Sequence, residues 1–199
     1  MKKILWCDTE TTGLDATRHG IIQLAMLMDI DGEIKGEVEL KIQPFPEDTI
    51  EVFWRDIWGV HDHEFILPVN ELRVLDVSTY PSPFIQIKSI TDFFDTHISK
   101  FDKNDKAWVG GYNIGFDLDA LSAFCKKVGF PFLGSYINWQ RLDVLHALYQ
   151  QTYKDGTSYA DYKLSTICEL YGIELEAHNA LSDIKATREL WYRLEADNA

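Results

Sequence analysis

The chain is poor in cysteine, poor in positive charge and without a long apolar run. Each shortage narrows what it does. Cys7, Cys125 and Cys168 are the three cysteines among 199 residues, an odd count without metal-like spacing. That predicts a reduced, intracellular protein. No apolar run approaches the length that crosses a bilayer, and Met-Lys-Lys-Ile gives way almost at once to Asp8 and Glu10. A signal peptide and a membrane partner are therefore not expected, and the expected setting is cytoplasmic. Basic residues number 19 against 32 acidic ones, for a formal charge of −13. This argues against a broad electrostatic grip on nucleic acid. It leaves room for an acidic site that recruits cations, which then hold a phosphate locally. Repeats, low-complexity tracts and linker-like stretches are missing too. The expectation is one domain over residues 1–199 with a substantial core, 46% of its residues being hydrophobic.

What is present is periodic. Residues 3–9 read as a strand apolar on both faces, as in a central strand covered from both sides. "IIQLAMLMDI" (21–30) is a second strand, Asp31-Gly32 a tight hairpin turn, and "EIKGEVELKI" (33–42) the returning third. "AWVGGY" (107–112) is a fourth, leading into a helix from about Asp117 to Val128 with Gly129 as its stop. "NWQRLDVLHALYQ" reads as a short strand running into a helix, and "KLSTICELYGI" as a helix closed by Gly172. Leu181, Ile184, Arg188, Trp191 and Leu194 mark a final amphipathic helix whose stripe Arg188 interrupts. A meander followed by strands alternating with helices predicts an α/β sandwich around a mixed sheet. Residues 44–87, rich in proline and aromatics, read as a packed, irregular insertion.

Within the first strand, "ILWCDTETTGLD" (4–15) places Asp8 and Glu10 two residues apart. Alternation puts both on one face, roughly 6.5–7 Å apart along the chain. One acid at a strand end is commonly a cap, a turn former or a solvated edge. Two on one face repel unless something positive lies between them. "GYNIGFDLDALSAF" (111–124) carries Asp117 at a helix start, where by itself it reads as a cap or a first-turn charge. "AHNALSDIKATREL" (177–190) places His178 in a loop, Asn179 as a helix cap, and Asp183 within the first turns. A loop His and a helical Asp five positions on can converge on one point.

Taken together, "DTETTG" (8–13), "YNIGFD" (112–117) and "HNALSD" (178–183) resemble the DEDDh exonucleases in type and order. The resemblance implies a ribonuclease-H-like fold, a mixed five-stranded sheet flanked by helices, with the Asp8/Glu10 strand at its centre. It implies that Asp8, Glu10, Asp117 and Asp183 bind two divalent ions, Mg²⁺ or Mn²⁺, with His178 as general base. It also implies that the Thr9–Leu14 turn, including Thr11, Gly13 and Leu14, lines a terminal-nucleotide pocket that Asn113 and Phe116 help to form. On the residues alone, Phe116 serves equally as core, and Gly13 as a turn residue. Small, hard Mg²⁺ prefers carboxylate oxygens, and a paired-ion site suits in-line attack on a phosphodiester.

The activity the resemblance implies is removal of nucleotides from the 3′ end of single-stranded DNA or RNA. A phosphodiesterase acting on short oligonucleotides is the alternative, which the acidic charge favours. A silent nucleic-acid-binding module is a further one, which retention of all five residues disfavours. The chain ends soon after the last motif, so a stand-alone enzyme is expected over a tethered polymerase subunit. A polymerase or homo-oligomer partner stays open. Four other features invite roles. "HDH" (61–63) offers a metal pair without partners, Trp54 and Trp58 a stacking platform, "DIDGEI" (29–34) a truncated calcium loop better read as a hairpin, and Lys126, Lys127 and Arg188 phosphate contacts.

Overall fold

The strand carrying the two carboxylates, β1 (Lys3–Thr11), is hydrogen-bonded on both sides. The computed structural model describes residues 2–48 and 77–197. β1 pairs antiparallel with β2 (Ile21–Ile30), which pairs antiparallel with β3 (Glu33–Lys41). On its other side β1 runs parallel to β4 (Ala107–Gly111), and β4 to β5 (Ile137–Asp143). The order β3-β2-β1-β4-β5 is a mixed five-stranded sheet with β1 at its centre. The β2–β3 turn is Asp31-Gly32 with φ of 53° and 88°, the doubly positive pair that matches the twist of a two-residue hairpin.

Alternation along β1 builds two cores. Leu5 and Cys7 face a layer formed by α1 (Pro83–His97) and α2 (Ile114–Lys127), through Ile90, Phe94, Leu118 and Phe124. Ile4 and Trp6 face α3 (Val144–Asp155), α4 (Leu164–Tyr171) and α5 (Ala180–Asp197), through Leu148, Ile167, Ile184 and Leu190. A strand covered on both faces reads as a continuous apolar run. The cysteines are free and buried.

Helix α1 departs from the sequence reading. "YPSPF" reads there as irregular chain, whereas Pro83 is the first residue of a 15-residue helix. Proline suits that position because its missing N–H has no helical partner there. Buried Gln86 donates from Nε2 to the Lys41 carbonyl at 2.8 Å, fastening α1 to the end of β3. Helix α2 begins three residues earlier than expected, so Asp117 lies inside the first turn and does not cap it.

Arg188 and Lys127 are both committed inside the protein. Arg188 Nε donates to fully buried Asp29 at 2.7 Å, and Tyr192 donates to the same carboxylate at 2.9 Å. Lys127 pairs with Asp48. Neither is the free phosphate contact considered from sequence. The "HDH" pair, Trp54 and Trp58 lie outside the described residues. None of the described helices is long and apolar enough to cross a membrane.

Candidate active site

β1 delivers its carboxylates to the end of the sheet where the loop to β2 and the first turns of α2 and α5 meet. The β1–β2 register shifts between Glu10 and Thr11. Such a bulge locally re-aims side chains. Oxygens of Asp8, Glu10 and Asp183 lie within 4.8 Å of one another, from three partly exposed residues.

Asp183 reaches this cluster from the first turn of α5. Asn179 Oδ1 caps that helix, accepting from Leu181 N at 3.1 Å and Ser182 N at 3.0 Å, as its position predicts. His178 adopts a left-handed φ of 67°, and its N–H donates to Asp183 Oδ2 at 3.2 Å. The other oxygen, Asp183 Oδ1, is buried without a hydrogen-bond partner. His178 is exposed, and desolvation lowers its pKa from the ordinary value. That favours the neutral imidazole a base requires.

Asp117 stands beside the three. Its Oδ1 accepts from the Thr9 N–H at 2.8 Å and the Thr9 hydroxyl at 2.7 Å. Burial pushes its pKa up to about 7 against those two donors. Burial also raises Asp8 well above the carboxylate range, followed by the charges of Asp117, Glu10 and Asp183. Burial lifts Asp183 to about 6. Acids that resist ionisation together make a site for positive charge. Neither Asp8 nor Asp183 has an ion-pair partner among the described residues. An orphaned buried carboxylate oxygen in an all-oxygen donor set fits a hard divalent ion.

The residues expected to line a nucleotide pocket have separate fates. The hydroxyl of buried Thr9 is committed to Asp117. Thr11 donates to the Gly13 carbonyl at 2.7 Å. Gly13 has no left-handed φ. A Cβ there would meet the His19 ring at 2.6 Å, so close approach explains the glycine. Leu14 is 56% exposed at the rim. Asn113 is exposed with a left-handed φ of 59°, and Phe116 is half-buried in the first turn of α2. Sequence reasoning missed Asp143. Its Oδ1 caps α3 through Leu145 N at 3.1 Å, accepts from Asn113 N at 3.1 Å, and its charge helps raise Asp117. The aspartate before "VLHALYQ" is an N-cap signal, but the link to Asn113 spans 30 residues.

Comparison with known proteins gives a matching picture. No family model matches the chain. It is 25% identical over 193 residues to a PolC-type DNA polymerase III from Latilactobacillus sakei, covering 96% of this chain and 11% of that protein. The counterpart from Lacticaseibacillus paracasei is 27% identical over 194 residues, with the same coverage. E. coli exonuclease I in complex with a dT13 oligonucleotide superposes with a TM-score of 0.70 at 17% identity, over 98% of this chain and 41% of that one. The fold is ribonuclease-H-like. A zinc-bound E. coli exonuclease I–ssDNA complex gives 0.72 at 16% identity, over 99% and 41%. Exonuclease I from Methylocaldum szegediense gives 0.66 at 21%, over 99% and 41%. The chain resembles the DEDDh exonucleases in motif and fold, and spans about a tenth of those polymerases and two fifths of those exonucleases.

Proposed function

We propose that residues 1–199 form one metal-dependent 3′–5′ exonuclease domain, cytoplasmic, that hydrolyses phosphodiesters of mainly single-stranded nucleic acid and releases nucleoside monophosphates. The observation that carries this reading is the convergence of Asp8, Glu10 and Asp183 within 4.8 Å, with Asp183 Oδ1 buried and orphaned. Asp8, Glu10 and Asp183 would hold two divalent ions, Mg²⁺ or Mn²⁺, with Asp117 completing the set. When bound, such ions supply the positive charge that acidifies an attacking water and offsets charge on the leaving oxygen.

The chain's own residues account for the rest. Thr9 fixes Asp117 by two donors, so this acid keeps one orientation. The His178 N–H holds Asp183 through Oδ2 and leaves Oδ1 buried without a partner. The neutral His178 imidazole takes the proton of the attacking water, a contribution of roughly 10²–10⁴-fold. Leu14, Asn113 and Phe116 form the rim on which a terminal nucleotide would rest. Oligonucleotides bound to the similar exonuclease I support a single-stranded substrate. The likeness to PolC-type polymerases leaves a polymerase partner as a second setting for the same site.

Incubation of 5′-labelled single strands with Mg²⁺ and with excess chelator tests this reading. We expect a ladder shortening from the 3′ end that chelator abolishes, and undiminished cleavage in chelator rules the metal chemistry out. Preferential cleavage of dinucleotides over longer strands favours the short-oligonucleotide phosphodiesterase instead. Binding without cleavage favours the silent module.

A further inference from the structure

The exposed face of α3 has no role in the chemistry above. His146, Tyr149, Gln150, Tyr153 and Lys154 recur there at helical spacing around an open depression of about 300 Å³. Tyr149 is 45% exposed and Tyr153 is 92% exposed. We infer that this face is a stacking track for the bases of a single strand whose 3′ end lies in the active site. The inference rests on the exonuclease reading and extends it to the path of the strand.

Three observations carry it. First, the track is continuous with the site. Asp143 accepts from the Asn113 N–H and caps α3, so the helix starts beside the residue expected to meet the terminal nucleotide. His146 lies in its first turn, and the rise of a helix places Tyr153 about 10 Å further along.

Second, the platform is braced from behind. Tyr149 packs against Tyr162, ring centroids 4.7 Å apart, and Tyr162 packs against Tyr159 at 5.4 Å. The Tyr162 hydroxyl pairs with Thr152 Oγ1 at 2.7 Å, and its carbonyl accepts from the Tyr112 hydroxyl. Tyr112 immediately precedes Asn113. His146 leans on Tyr149 with ring centroids 6.2 Å apart. A ring held in place before binding gives up little conformational freedom when a base stacks on it.

Third, the chemistry suits this chain. A net charge of −13 argues against a broad cationic channel for a polyanion. Stacking depends on ring faces, which every base has, and little on phosphate charge. Lys154, without an ion-pair partner among the described residues, places one ammonium beside the rings.

The test measures KM over a length series, from a dinucleotide to strands of about ten nucleotides, for the wild type, Tyr149→Ala, Tyr149→Phe and Tyr153→Ala. In the wild type KM falls once the strand is long enough to lie on α3. Each alanine variant weakens that gain roughly ten-fold, and Tyr149→Phe retains it because the ring remains. The same length dependence in both alanine variants as in the wild type overturns the track, and it is the outcome expected if α3 docks a protein instead. Tyr153 is almost wholly exposed, so its variant stays informative if Tyr149→Ala fails to fold. Anisotropy of a labelled strand in chelator separates this inference from the reading beneath it. Binding lost in the alanine variants supports the track even for a protein that cuts nothing. A salt slope much steeper than about −1.4, two phosphates' worth for single strands, contradicts a stacking-led grip.

Discussion

Asp8, Glu10, Asp117 and Asp183 gather at one end of β1, where burial raises the pKa values of Asp8, Asp117 and Asp183 and the charges of the other three raise Asp8 further. At this scale the site is most open to test. Asp183→Asn removes one charge from the cluster and keeps an acceptor for the His178 N–H. We expect cleavage to fall by roughly 10²-fold or more, with the melting temperature of the metal-free protein unchanged or higher. A collapse of that melting temperature would make Asp183 structural. Thr9→Val removes one of two donors to Asp117 from a buried position. A loss of about 1–3 kcal/mol in stability and roughly 10–100-fold in activity is expected by denaturant titration and kinetics. His178 must be neutral to accept a proton, and desolvation lowers its pKa from 6.5. The acid limb that His178 contributes to kcat/KM should therefore have its midpoint below 6.5, and His178→Ala should abolish that limb.

Among the elements, those with strict periodicity were legible in the sequence. β2 occupies the residues expected, Gly172 closes α4 with a φ of 63°, and the Asp31-Gly32 turn follows from the dipeptide itself. β1 runs two residues past its expected end because Glu10 and Thr11 still pair with β2 across the bulge. Helix α1 was hidden because Pro81 and Pro83 are loop signals in a sequence, yet Pro83 also suits a helix start. The tether of Asp117 to Thr9 spans 108 residues, and that of Asn113 to Asp143 spans 30. Local pattern holds no trace of either. Arg188 looked like a break in an apolar stripe because its partner, Asp29, is 159 residues away. This pair anchors α5 to the β2–β3 hairpin, with the Asp29 side chain 1% exposed. Arg188→Leu strands that buried charge, and we expect a loss of about 3–5 kcal/mol by chemical denaturation. A loss under about 1 kcal/mol would place the Asp29 pair among surface ion pairs.

For the molecule as a whole, the raised carboxylates make stability depend on pH, and the proposed metal site would make it depend on divalent ions as well. Asp183 and Asp117 have folded pKa values raised to about 6 and about 7 from the ordinary 3.8, and Asp8 is raised as well. Above 3.8 the unfolded chain releases protons that the folded protein still holds. Their contribution to stability is therefore full below 3.8 and is lost as pH rises through 6 and 7. In chelator, the part of the melting temperature that depends on these acids should fall between pH 5 and pH 8, and a divalent ion should restore more at pH 8 than at pH 5. Equal restoration at both would separate ion binding from these carboxylates.

The proposed cation site at the end of β1 is tested most directly by calorimetric titration of Mn²⁺ into metal-free protein, with Asp183→Asn run alongside. The expected result is saturable uptake by the wild type that is lost or strongly weakened in the variant. Equal uptake by both proteins, or none by the wild type, would contradict it.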